Sequence, residues 1–149
     1  MKPLIGSLLV AGLVAASPST GLAQAGKTFR TRLSPVPIAA YNPNVVGTGQ
    51  VTATLTGTTL VVSGSYDGLA SPATQARIFK SPKPGIRGEA LLDLKVSGGT
   101  SGTITGQFTL TPAQAQEISA SRYYVQLSSE KAADGNLWGW LMPQQEKAR

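Results

Sequence analysis

Short runs in which apolar residues alternate with polar ones recur from Phe29 to Met142, punctuated by Gly and Pro. A period of two sends successive side chains to opposite faces of a strand, so every run describes a sheet with one face buried. Phe29-Arg30-Thr31-Arg32-Leu33 sends two arginines outward. Val51, Ala53 and Leu55 alternate with threonines, and Gly57-Thr58 turns the chain into Thr59–Tyr66, so these two strands are expected to form a hairpin. Gly64 offers no side chain to pack, and marks a bulge or a close backbone approach. Further strands are predicted over Ala76–Lys80, Ala90–Val96, Gly102–Leu110, Tyr123–Leu127 and Leu137–Met142, with turns at Asp67-Gly68, Ser97-Gly98-Gly99 and Asp134-Gly135. Eight short strands at even spacing predict an all-β, antiparallel two-sheet sandwich of Ig-like or Greek-key type.

One helix interrupts the strands. Thr111 can cap its first turn, Pro112 suits a position whose missing N–H has no partner, and Gln114 completes a capping box, so a helix is predicted over Thr111–Ser119. Pro35, Pro37 and Pro43 with Asn42 and Asn44 mark a loop of about a dozen residues between the first two strands, long enough to carry a binding surface. The polar end Gln144–Arg149 is expected to fray.

The first 25 residues read as a leader. Lys2 is a short positive start, Leu4 to Ala16 is apolar, and Ala23-Gln24-Ala25 has the small residues that a signal peptidase requires, which places cleavage after Ala25. Ser17, Pro18 and Ser19 interrupt the run before the roughly 20 residues a membrane anchor needs. A single exported domain, periplasmic or secreted, of 124 of the 149 residues is expected, with no transmembrane anchor after cleavage. Its formal charge falls only from +6 to +5, because Lys2 is the one charged residue in the leader.

The chain has no Cys and no His. That removes disulfides, thiolate nucleophiles and the commonest metal ligand and general base, so zinc, copper and Ser-His-Asp chemistry are excluded and no cofactor is expected. Seven carboxylates are scattered over turns, helix and tail, without the facing pair that a glycosidase uses. The one Ser-x-x-Lys match, Ser128-Ser129-Glu130-Lys131, trails a strand and opens no helix. A non-catalytic role is expected.

From Tyr66 to Met142 the order of elements resembles the CHRD domain, a module of the secreted antagonist chordin and of bacterial exported proteins. In that family a Gly-Leu strand end leads into an Ala-His-Ile-His-like strand and a Gly-rich loop. The corresponding residues here are Gly68-Leu69, Ala76-Arg77-Ile78-Phe79 and Pro84-Gly85-Ile86-Arg87-Gly88. A threonine-started helix, a Tyr-Val-Asn-Val-His-Thr-like strand and a Gly-Glu-Ile-Arg-Gly-Gln-Leu-like strand follow. They correspond to Thr111–Ser119, Tyr124-Val125-Gln126-Leu127-Ser128-Ser129 and Gly135-Asn136-Leu137-Trp138-Gly139-Trp140-Leu141. The resemblance implies an extracytoplasmic β-domain. It implies no metal, because the family's histidines fall at Arg77, Phe79 and Ser128, a cation, a ring and a hydroxyl.

Two surfaces are candidates. Arg77, Lys80, Lys83 and Arg87 put four cations around Phe79 with no acid before Glu89, a stretch able to hold an anionic polymer by charge or simply to keep a strand end soluble. So few aromatics are interleaved that no nucleic acid is specifically indicated. Trp138 and Trp140 share one face of the last strand, either filling the core or forming a platform for a sugar or a partner. If Leu137 and Leu141 face inward, as the resemblance implies, both indoles point outward, with Gly139 allowing close approach on the other side. The expected role is a protein-interaction or accessory domain of the cell envelope. The alternative is a binder of anionic polymer or glycan through the basic loop and the tryptophans.

Overall fold

The structure, a computed structural model, describes residues 26–145. The expected leader lies outside them. Among the described residues no helix is long and apolar enough to cross a membrane. The chain order is β1 (Lys27–Pro35), β2 (Thr48–Thr56), β3 (Thr59–Asp67), β4 (Ala73–Lys80), β5 (Glu89–Val96), β6 (Gly102–Thr109), α1 (Pro112–Ser119), β7 (Tyr123–Ser129), β8 (Ala132–Trp140) and β9 (Met142–Pro143).

The strands do not form a two-sheet sandwich. They run in the spatial order β1-β2-β3-β6-β5-β4-β7-β8, every pairing is antiparallel, and β8 returns to β1, so the sheet closes into an eight-stranded barrel. Period-two alternation cannot distinguish the two folds, because both bury one face of each strand. Two strands that serve both halves make the difference. β1 pairs with β2 from Lys27 to Leu33 and then gives Ser34 and Pro35 to β8. Likewise β5 pairs with β4 over most of its length and ends on β6 through Lys95 and Val96. The Greek-key path holds: β4, β5 and β6 follow one another, and β7 comes back across α1 to lie beside β4.

Inward positions make one core, in which Phe29, Leu33, Leu60, Ile78, Ile104 and Leu137 are fully buried. Each such side chain contributes about 1.5–3 kcal/mol by leaving water, which is how a small domain closes without disulfides. The β2–β3 hairpin turns at Gly57-Thr58 as expected. At Gly64 the ladder is unbroken and a Cβ would collide with the Gln50 carbonyl, so this is a close approach and not a bulge. The turn expected at Asp134-Gly135 is instead part of β8. The chain reverses at Glu130-Lys131, and a register shift between Leu127 and Ser129 absorbs the extra length. β8 therefore begins five residues earlier than its apolar run.

The helix is capped as read: the Thr111 hydroxyl accepts from the Gln114 N–H at 3.2 Å, and the Thr111 N–H donates to Gln114 Oε1 at 2.9 Å. Ile118, fully buried, ties it to the barrel core. Glu117 faces Lys80 Nζ at 2.6 Å and accepts from the buried Tyr123 hydroxyl at 3.0 Å. Gln144, expected to fray, is tied to β1 by its N–H donating to the Thr28 carbonyl at 2.8 Å.

Gly139 lets β8 meet β1. A Cβ there would lie 2.6 Å from the Arg32 carbonyl oxygen and would collide with the Thr31 hydroxyl. Gly139→Ala is expected to lower stability by about 1–3 kcal/mol through overpacking at the closing seam, read as a lower denaturant midpoint at constant slope; an unchanged midpoint would show that the seam tolerates separation. A second expectation concerns pH. The Lys80 ammonium, hydrogen-bonded to Glu117, holds that carboxyl below the usual range in spite of its partial burial, whereas burial first and the Glu117 carboxylate second push the Tyr123 phenol up. A carboxyl lowered by folding stabilises above its unfolded pKa and loses that contribution as pH falls; a phenol raised by folding stabilises below its unfolded pKa and loses it as pH rises. The thermal midpoint should therefore decline on both sides, Glu117→Gln flattening the acid limb and Tyr123→Phe the alkaline one.

Candidate functional site

On the outside of the barrel, β4, β7 and β8 lie side by side with Phe79 opposite Tyr124 and Tyr124 opposite Trp140. In the next row Arg77 faces Gln126, and Gln126 faces Trp138. Leu137 and Leu141 are fully buried, so alternation sends both indoles outward, where they are half-buried. They are neither core nor free platform. Four rings from three strands form one cluster: Phe79 stacks on Tyr124 at 5.1 Å and 9°, Trp138 meets Tyr124 edge-on at 5.8 Å, Trp140 tilts against it at 4.8 Å, and the indoles contact each other at 6.2 Å.

Tyr124 is the hub, and it is only 1% exposed although its side chain points away from the core. The β4–β5 loop, residues 81–88, covers it. The Gly88 N–H donates to the Tyr124 hydroxyl at 3.0 Å, and the Arg87 guanidinium lies 5.6 Å from the centre of the Trp138 ring. Ser81, fully buried, organises the loop: its hydroxyl makes short contacts with the carbonyls of Lys83 and Ile86 and accepts from the Lys83 N–H at 3.2 Å. The Ser81 N–H donates to the Arg122 carbonyl at 2.8 Å, and Arg122 Nε donates to the Ser81 carbonyl at 3.0 Å.

The two sequence-predicted surfaces are thus one surface. Phe79, Arg87, Trp138 and Trp140 converge on Tyr124. Two of the four cations are already engaged by acids: Arg77 Nε lies 2.7 Å from Asp93 Oδ1 in an ion pair whose N–H is not aligned on the oxygen, and Lys80 pairs with Glu117. Lys83 and Arg87 remain exposed in the loop without an acid partner among the described residues. Tyr124 and Ser81 went unrecognised as site residues. Tyr124 was accessible from parity, since Phe79, Tyr124, Trp138 and Trp140 are outward positions of three strands, but which strands are neighbours is not a local property. Ser81 carries no signal that separates it from any loop serine.

The residues at the family's histidine positions do not fit a metal. Arg77 and Phe79 point outward from β4, and Ser128 is buried on β7 opposite Gln75. Phe79 lies opposite Tyr124, four residues from Ser128, so those two positions are separated by roughly 13 Å along the strands and cannot share one ion. Among the described residues no three His, Cys, Asp or Glu side chains converge. At Asn136, where the family often has Glu, the side chain is fully buried with neither amide atom partnered by protein.

A second feature lies around the barrel wall. The outer faces of β1, β2 and β3 form an open groove of about 980 Å³ lined by Arg30, Arg32, Gln50, Thr52, Ser63 and Ser65. Trp138 faces Ser34 and Met142 faces Arg30, so the same register brings Trp140 opposite Arg32 and makes the groove continuous with the aromatic face.

No curated protein and no solved structure matches this chain. A family model does match, over residues 29–141, from the first core residue of β1 to the last buried leucine after β8. The match spans the whole barrel together with its capped helix and the loop over Tyr124, and the chain belongs to the CHRD domain family.

Proposed function

We propose that the protein is a non-catalytic, exported accessory domain of the cell envelope, periplasmic or secreted, that binds another protein through the face built by Phe79, Tyr124, Trp138 and Trp140. The observation that carries this reading is a pair of half-buried indoles held rigid by a buried tyrosine and flanked by Arg87. Tryptophan, tyrosine and arginine are the residues in which binding energy concentrates at protein interfaces. Membership of a typically extracellular family supports export, in keeping with the leader-like residues 1–25. A non-catalytic role is supported by where the polar groups go. Asp67, Asp93 and Glu117 are engaged by Ser101, Arg77 and Lys80, while Ser128 and Ser129 are buried and Lys131 is exposed.

The exposed Lys83 and Arg87 favour a second reading, an anionic polymer or glycan held on the same face. Cross-linking capture from an envelope fraction separates the two. A protein partner should be captured by the wild type, lost with Trp138→Ser/Trp140→Ser at unchanged thermal midpoint, and kept in molar salt, where the Debye length is about 3 Å. Loss on adding salt or with Lys83→Gln/Arg87→Gln alone supports the polymer. Equal capture by all variants removes this face from the function.

A further inference from the structure

Arg30 and Arg32 are exposed on one face of β1, about 7 Å apart along the strand, and neither has an ion-pair partner among the described residues. Two cations fixed at this spacing repel one another and attract a ligand that carries regularly placed negative charge. Across the sheet, register sets Arg30 in a row with Thr52 and Ser63, and Arg32 in a row with Gln50 and Ser65. None of these four neutral side chains makes an internal hydrogen bond among the described residues. The groove therefore offers two parallel lines of unused donors and acceptors, each beginning at a guanidinium. At its far edge the Asp67 carboxylate is taken up by the Ser101 hydroxyl and the Gly68 N–H, so negative groups of a ligand are directed to the β1 side.

We infer that this groove binds a linear acidic polysaccharide, its carboxylates or sulfates on Arg30 and Arg32 and its hydroxyls on the polar rows. Guanidinium pairs with such oxyanions in a bidentate fork. The half-buried Trp140, opposite Arg32, supplies an apolar ring surface at the rim against which a sugar can lie. A peptide fits less well: a closed barrel has no free edge here on which to add a strand, and the exposed side chains of the lining are charged, hydroxyl or amide groups. The inference shares Trp140 with the proposed function but differs from it in its cations, which are not those of the β4–β5 loop.

The test is binding of the purified protein to immobilised polygalacturonate, with dextran and oligo-dT as comparison polymers. Affinity for polygalacturonate should fall as salt rises, and Arg30→Gln/Arg32→Gln should weaken it by about tenfold or more, the loss of charge-assisted hydrogen bonds. Ser65→Asp, which leaves both arginines in place and adds repulsion within the groove, should weaken it as well. Lys83→Gln/Arg87→Gln should retain wild-type affinity. Binding of dextran or oligo-dT as tight as that of polygalacturonate would overturn the inference, as would unchanged affinity in both groove variants or a loss confined to the loop variant. In that last case the face around Tyr124 would be the polymer site.

Discussion

The meeting of β8 with β1 sets the architecture on which both surfaces depend. The direct seam is short, Ser34 with Trp138 and Pro35 with Leu137, and it is tight because Gly139 presents no Cβ to Thr31 and Arg32. An open sheet would leave the N–H and C=O groups of two edge strands unpaired, a template for association with other chains. Closing the sheet removes those edges and places the outward side chains of β8 between the aromatic rows of β4 and β7 and the arginines of β1. The seam thus creates the continuity between the ring cluster and the groove.

Large rings pointing away from a core would ordinarily make an exposed apolar patch. Here the β4–β5 loop folds back onto them, and hydrogen bonds from Gly88 and around Ser81 hold it there. Each aromatic contact is worth about 0.5–1.5 kcal/mol beyond area burial, and the Arg87–Trp138 contact about 0.5–1 kcal/mol. The ion pairs Arg77–Asp93, exposed, and Lys80–Glu117, partly buried, contribute about 0–1 kcal/mol each. Ring packing dominates the site, and the ion pairs act mainly by withdrawing two cations from the loop's free charge.

Much of this was legible residue by residue. Thr111, Pro112 and Gln114 specify a helix start through contacts within one turn, and all of those contacts form. Alternation placed Phe29, Leu33, Val51, Leu55, Leu60 and Val62 inside. Gly139 between two outward tryptophans correctly marked close approach on the inner side. Asp134-Gly135 misled because a turn dipeptide is locally indistinguishable from the same residues in a strand beside a register shift. The single aromatic surface was hidden because Phe79, Tyr124 and Trp138 come from separate parts of the chain, and the loop that covers them belongs to none of those runs.

The sequence by itself determined an all-β chain with one capped helix, the parity of nearly every strand, and a site without imidazole or thiolate chemistry, because these depend on residue type and on neighbours a few positions away. Only the tertiary structure decided between sandwich and barrel, joined the basic loop to the tryptophans, and, among the described residues, left Arg30 and Arg32 without an acid partner while pairing Arg77 and Lys80. Those outcomes depend on which strands are neighbours and in what register, and period-two alternation is the same for every arrangement that buries one face.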